Sequence, residues 1–148
     1  MSDELPASVL FACTQNAIRS PIAEALARHL FGRRAFFDSA GVRADDIDPF
    51  AIAVLEEIGI DLNHPHGKTL ADVDAESFDL IVSLSPEAHH AALGLTHGVA
   101  TEVEYWPTLD PSAVDGSRET RLEAYRTVRD GLLQRLRRRF GLVGGPSV

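Results

Sequence analysis

The stretch Val9-Leu10-Phe11-Ala12-Cys13-Thr14-Gln15-Asn16-Ala17-Ile18-Arg19-Ser20-Pro21 constrains the fold of this chain more than any other segment. Residues 7–12 form a short apolar run, suited to a strand buried on both faces at the centre of a parallel sheet. A polar turn, 13–20, follows directly. Pro21 then stands where a first helical position would be, and Ile22, Ala25, Leu26, His29 and Leu30 fall at three-and-four spacing before Gly32 closes the segment. The chain therefore begins as strand, tight turn and amphipathic helix.

The same alternation continues. Residues 35–40 read as a second strand, and Asp48-Pro49 opens a helix whose apolar face is Ile52, Val54, Leu55 and Ile58, stopped by Gly59. Residues 78–84 form a third apolar run; Pro86 starts a helix through Leu93 that Gly94 ends, and residues 101–106 make a fourth strand. From Ser117 a longer helix carries Leu122, Tyr125, Val128, Leu132, Leu133, Leu136 and Phe140, and Gly141 with the Gly144-Gly145-Pro146 tail ends it. Strands alternating with helices imply crossover connections, so the expected fold is α/β, a three-layer sandwich with a central four-stranded parallel sheet flanked by helices. At 148 residues the chain has the size of one ordinary domain, and a single domain over 1–148 is expected.

In open sheets of this kind ligands bind at the carboxyl ends of the strands, where Cys13 falls. A turn between a strand and a helix aims backbone N–H groups at one point, and the helix N-terminus adds partial positive charge there. A thiol in such a nest is expected to favour its anionic form. Arg19, six positions after Cys13, offers a planar fork that matches two oxygens of a tetrahedral oxyanion. A lone cysteine at a strand end is equally compatible with burial as a small hydrophobe; Arg19, Ser20 and Pro21 tip the reading toward a nucleophile.

Cys13 is the only cysteine, so the chain has no intramolecular disulfide and suits a reducing compartment. The acidic start, Met1-Ser2-Asp3-Glu4, lacks the basic and apolar regions of a signal peptide, and a cytoplasmic location without membrane attachment is expected. A net charge of -8 argues against nucleic acid as a partner. The basic run Arg135, Arg137, Arg138 and Arg139 reads as cations complementing the last turn of a helix. No His/Cys set has metal-ligand spacing, and no glycine-rich nucleotide loop is present, so neither metal nor cofactor is implied.

Cys13, Asn16, Arg19, Ser20 and Pro21, followed by Ser39-Ala40-Gly41, Asp48-Pro49, Gly59-Ile60 and Asp110-Pro111, occur in an order and at intervals that resemble the low-molecular-weight protein tyrosine phosphatases and the arsenate reductases sharing their fold. The resemblance covers nearly the whole chain. It implies Cys13 as nucleophile, Arg19 as oxyanion clamp and Asp110 as the acid that protonates the leaving oxygen, with Asp115 a weaker competitor. Thr14, Gln15, Asn16, Ala17, Ile18 and Ser20 would form the binding loop. Asn16 and Ser20 would shape it and hydrogen-bond the thiolate, and Ser39 would support Asn16. Ser20 is also an ordinary helix N-cap type. His64 and His66 lie where the family often has a loop-supporting histidine, but their spacing assigns neither; His89 and His90 read as a polar helix face.

The chain departs from the phosphatase pattern at Gln15, where glycine is usual, at Ile18, where a second cysteine is common, and at Ser112-Ala113, where aromatics often follow Asp-Pro. With Trp106 and Lys68-Thr69, these departures lean toward the arsenate reductase branch, whose relay cysteines are nonetheless absent from residues 83–88. The expected function is cysteine-dependent hydrolysis of phosphotyrosine or aryl phosphate monoesters through a phosphocysteine intermediate. The alternatives are arsenate reduction with an external thiol or glutaredoxin-like partner, and a non-catalytic oxyanion-binding module. Phosphorylated protein or a small oxyanion is the expected substrate, and the chain is expected to be a monomer or weak homodimer.

Overall fold

The structure, a computed structural model, describes residues 5–62, 64 and 66–141; the acidic start and the glycine-proline tail discussed above lie outside the described residues. Four strands, β1 (Ser8–Cys13), β2 (Phe36–Gly41), β3 (Leu80–Ser83) and β4 (Glu102–Tyr105), alternate with helices α1 (Arg19–Phe31), α2 (Pro49–Glu56), α3 (Pro86–Leu95) and α4 (Arg118–Leu136). All strand pairs are parallel, in the order β2-β1-β3-β4. The α/β sandwich expected from the alternation is thus the fold observed. Cys13 pairs with Gly41 at the end of β1 and β2, and Ala12 pairs with Ser83, so the carboxyl ends of three strands meet beside the Cys13 turn.

β1 is buried on both faces because it is central. Val9, Phe11 and Cys13 join the cluster built with α1, α2 and α4, while Leu10 and Ala12 face the smaller cluster under α3. Phe11 packs on Phe37 and Trp106, each with ring centroids 6.3 Å away, and Phe140 closes the group against Trp106 at 6.2 Å. Rings packed this way add to the burial energy of each, and truncating one as buried as Phe11 costs about 3–5 kcal/mol.

Several local expectations are revised. His29 is exposed beside Arg28, because the covered part of α1 runs from Ser20 to Ala27 and resumes at Phe31. α2 stops at Glu56; Gly59 takes a positive φ of 79° and lets Ile60 turn back into the core, which leaves Ile58 40% exposed. Gly94 lies inside α3 and does not end it; the left-handed residue is Gly98, and Thr96 closes the helix by donating its backbone N–H and its hydroxyl to Ala92 O. α4 ends at Leu136 and continues as a wider π turn, Arg137–Gly141, that carries Phe140 into the core. The basic run there does more than complement a helix end. Arg139 grips the Glu104 carboxylate on β4 at 2.7 Å, and the Arg135 guanidinium lies 5.0 Å over the Trp106 ring.

α4 is pinned to α2 by Tyr125 and Arg129. The buried Arg129 donates to Val54 O and to Glu57, each at 2.8 Å. The Tyr125 hydroxyl donates to Asp48 Oδ2 at 2.9 Å, while Asp48 Oδ1 accepts from Phe50 N and caps α2. Gly131 sits in the middle of α4 with open space where a side chain would project, a position where glycine costs a helix about 0.5–1 kcal/mol relative to alanine.

Burial first, then the hydrogen bond to Asp48 and that carboxylate's charge, push the Tyr125 hydroxyl above the usual tyrosine range. A group whose folded-state value is raised contributes stability that is complete below its unfolded value and is lost as pH rises through and beyond it. Denaturation midpoints of the wild type should therefore fall above about pH 10, where an unfolded tyrosine ionises, and Tyr125→Phe should flatten that alkaline limb.

Candidate functional site

Two properties of the 13–20 turn make it an anion cradle. Its carbonyls point away from the centre and are consumed by neighbouring backbone: Val42 N–H donates to Cys13 O at 3.0 Å, Arg43 to Thr14 O at 2.8 Å, Asp45 to Gln15 O at 3.1 Å, Asp48 to Ala17 O at 3.0 Å and Ile22 to Ile18 O at 3.0 Å. The amides of residues 14–19 donate to no protein acceptor among the described residues, and they open α1, whose N-cap position, Ile18, carries no side-chain cap. A helix start with unspent donors is an oxyanion site by its backbone alone.

The turn holds this shape through Asn16. Its φ of 51° is the only positive value at a non-glycine residue among the described positions, and asparagine tolerates that geometry better than most residues. Fully buried, it spends its whole side chain: Nδ2 donates to Ser20 Oγ at 2.8 Å and Ser39 Oγ at 3.0 Å, and Oδ1 accepts from Lys68 N at 2.8 Å. Because the left-handed position is 16, Gln15 does not require the glycine that the resemblance places there. Glycines are needed behind the turn instead. A Cβ on Gly41 would lie 2.6 Å from Asn16 N, and one on Gly67 would lie 2.7 Å from Asn16 O, both unyielding backbone atoms.

The sequence-predicted residues come together in one hollow of about 140 Å³, lined by Cys13, Thr14, Gln15, Ala17, Ile18, Arg19 and Asp110. Cys13 is 2% exposed and forms the floor, with Ser20 Oγ 2.9 Å from its sulfur. Ser20 is the second residue of α1 and not its N-cap, so its hydroxyl is free to serve the thiol. Thr14 donates to Ser85 Oγ at 3.0 Å, Gln15 is exposed at the rim, and Ala17 and Ile18 are buried. Arg19 Nη1 donates to Thr108 O at 2.9 Å, tying the turn to the loop that carries Asp110. The Asp110 carboxylate caps the following 3₁₀ turn through Ser112 and is exposed at the pocket wall; Asp115 does not line it.

Residues not singled out from the sequence complete the support. Glu24, 2% exposed on α1, accepts from Ser39 Oγ at 2.5 Å, pairs with Arg28 at 2.8 Å and lies 3.3 Å from His64 Nε2. His64 thus reaches the loop indirectly, whereas His66 bonds Asp46 at the surface. Glu24 lies four residues after Ser20 on a helix whose first turns are covered, which is the only local hint of its role. Lys68 serves through its backbone amide, while its ammonium pairs with Asp38 at 2.6 Å. His89 is not merely a polar helix face: it bonds Ser83 Oγ at 2.8 Å and stacks on Tyr105 at 4.7 Å. No group of three or more His, Cys, Asp or Glu side chains is arranged to hold a metal among the described residues, and no described helix is long and apolar enough to cross a membrane.

Two hollows of about 250 Å³ lie elsewhere, one beside Glu24, Arg28 and His64, the other between residues 106–109 and α4. Size does not select the site. Among the described residues, the smaller Cys13 hollow is the one that combines a thiol, unspent amides, a guanidinium and a carboxyl group.

A family model described as low molecular weight phosphotyrosine protein phosphatase matches residues 8–141. An arsenate reductase of Halalkalibacterium halodurans is 30% identical over 129 residues, spanning 87% of this chain and 91% of the relative. A glutaredoxin arsenate reductase of Synechocystis sp. is 31% identical over 132 residues, spanning 86% and 92%. The solved tyrosine phosphatase Wzb from Escherichia coli K30, in complex with sulphate, superposes with a TM-score of 0.76 at 26% identity, covering 90% of this chain and 96% of that one.

If Gly41 and Gly67 shape the turn as this packing requires, Gly67→Ala should force Asn16 aside. Inorganic phosphate or vanadate should then bind about tenfold or more weakly by titration, and binding at wild-type strength would show that the turn does not depend on that contact.

Proposed function

The chain belongs to the low molecular weight phosphotyrosine protein phosphatase family, and from that premise we propose that it is a phosphatase acting through a phosphocysteine intermediate on phosphotyrosine or aryl phosphate monoesters. The observation that carries this reading is the presence of Asp110 in the same hollow as Cys13 and Arg19, in a chain with no second sulfur nucleophile.

The chemistry follows from that arrangement. Arg19 and the amides of the turn hold the three non-bridging oxygens of the phosphoryl group, where charge is spread in the transition state. Cys13 Sγ attacks phosphorus, forming the S–P bond as the ester O–P bond breaks, and Asp110 gives its proton to the departing oxygen. Water then attacks phosphorus, Asp110 takes the water proton back, and the S–P bond breaks. The Ser20 hydroxyl, 2.9 Å from sulfur, donates to the thiolate and makes it a better leaving group in this second step.

A second reading has its own support, since two relatives covering most of the chain are named arsenate reductases, one of them glutaredoxin-linked by name. Arsenate is a tetrahedral oxyanion that fits the same cradle. Two thiols must be oxidised to a disulfide for each arsenate reduced to arsenite, and this chain supplies one. The other would come from glutathione, mycothiol or a glutaredoxin-like protein.

Purified protein should hydrolyse p-nitrophenyl phosphate, and Cys13→Ser should abolish that turnover. Arsenate-dependent oxidation of glutathione or mycothiol, without phosphate ester hydrolysis, would instead establish the reductase reading; neither activity would leave an oxyanion-binding module. Asp110→Asn should slow hydrolysis of phenyl phosphate by roughly 10²–10⁴-fold and p-nitrophenyl phosphate far less, because nitrophenolate departs without a proton. Equal losses would remove Asp110 from the acid role.

A further inference from the structure

The groove between residues 106–109 and α4 has features that the reaction at Cys13 does not use. Its volume is about 250 Å³ and its walls are mainly apolar. One wall is the segment immediately before Asp110, ending in Leu109, which is 86% exposed. The floor is Gly131, where a Cβ would meet nothing within 4 Å. Alanine or leucine there would favour the helix, and its side chain would project into the open space. At one end stand Arg135, its guanidinium carbon 5.0 Å from the centroid of the Trp106 ring, and Arg138; neither forms an ion pair among the described residues, in a chain whose net charge is -8.

The groove and the proposed reaction centre are joined through one loop. Thr108 lines it, and Thr108 O accepts the hydrogen bond from Arg19, which lines the Cys13 hollow. Whatever fills the groove therefore touches the loop that carries Asp110. A free phosphate or arsenate ion has nothing to place there, whereas a polypeptide bearing a phosphoryl group extends beyond the hollow.

We propose that this groove docks the polypeptide part of the substrate, taking an aliphatic side chain over Gly131 against Leu109 and an acidic side chain on Arg135 and Arg138. The occupant follows from charge complementarity and from the shared loop. A smooth apolar channel with a cationic end fits leucine-like and glutamate-like residues flanking the phosphorylated one. This assignment rests on the phosphatase reading and concerns which residues flank the phosphorylated one in its preferred substrates.

The test compares a phosphotyrosine peptide flanked by leucine and glutamate with one flanked by alanine and lysine, and with p-nitrophenyl phosphate, on the wild type, Gly131→Leu and Arg138→Glu. The leucine-glutamate peptide should be preferred by the wild type. Its kcat/KM should fall about tenfold or more in both variants, while p-nitrophenyl phosphate turnover stays within about twofold. A peptide advantage that persists in Gly131→Leu overturns the docking assignment and leaves the phosphatase standing, as does self-association abolished by Gly131→Leu with no effect on peptides. If no phosphate ester is hydrolysed at all, the phosphatase reading has failed, and the groove is judged by binding. Trp106, the only tryptophan, lies beside it. A saturable fluorescence change with the leucine-glutamate peptide, lost in Gly131→Leu, retains the docking surface; no saturable change removes it.

Discussion

The site depends on one side chain that makes no contact with the pocket it shapes. Asn16 accepts a left-handed backbone conformation and in return spends both donors and its acceptor inside the protein, on Ser20, Ser39 and the Lys68 amide. These three partners come from α1, β2 and the segment entering the 3₁₀ turn at Leu70–Asp72, so one residue fixes the turn against three parts of the fold. A buried amide left half satisfied would cost about 1–3 kcal/mol, and that penalty holds the turn in the one arrangement where its carbonyls face outward and its amides face in.

The consequences pass outward in both directions. Toward the pocket, Ser20 shares its oxygen between Asn16 and the Cys13 sulfur, so the residue that locks the turn also orients the hydroxyl that faces the thiol. Away from it, Ser39 hands the constraint to Glu24, a buried carboxylate that also pairs with the more exposed Arg28 and lies beside His64. The far end of the turn is held separately: Ala17 O receives the Asp48 amide, and the Asp48 carboxylate is held by Tyr125 of α4. Preorganisation of this kind lets fixed dipoles stabilise a developing charge without reorganising during the reaction.

The loop that carries Asp110 is held more lightly. Arg19 bonds Thr108 O, Thr108 Oγ donates to Trp106 O, and Trp106 anchors the base of the loop in the aromatic core. Leu109 and Asp110 extend beyond that anchor, exposed to solvent and to whatever approaches. The turn side of the hollow is tied into the fold by many hydrogen bonds, and the side carrying Leu109 and Asp110 is open to solvent.

Short-range patterns in the sequence specify the strand-turn-helix at Cys13, the alternation that gives a parallel sheet, and the turn residues that line the hollow. These follow from short-range rules: apolar period, proline and glycine punctuation, and the six-residue interval that puts Cys13 and Arg19 on one turn. Asp110 was legible only through resemblance, because it lies 97 positions from Cys13. What the tertiary structure alone decided is the support. Gln15 looked like a defect until Asn16 proved to be the left-handed residue, with Gly41 and Gly67 supplying the clearance from outside the turn. Glu24 has only its spacing from Ser20 as a signature, His64 cannot be told from His66, the Tyr125–Asp48 link has no local sign, and the groove over Gly131 reads in sequence as an ordinary glycine in a helix. The physical reason is that a backbone turn is specified by the residues within it, whereas the contacts that hold it rigid join segments brought side by side only by the strand order β2-β1-β3-β4.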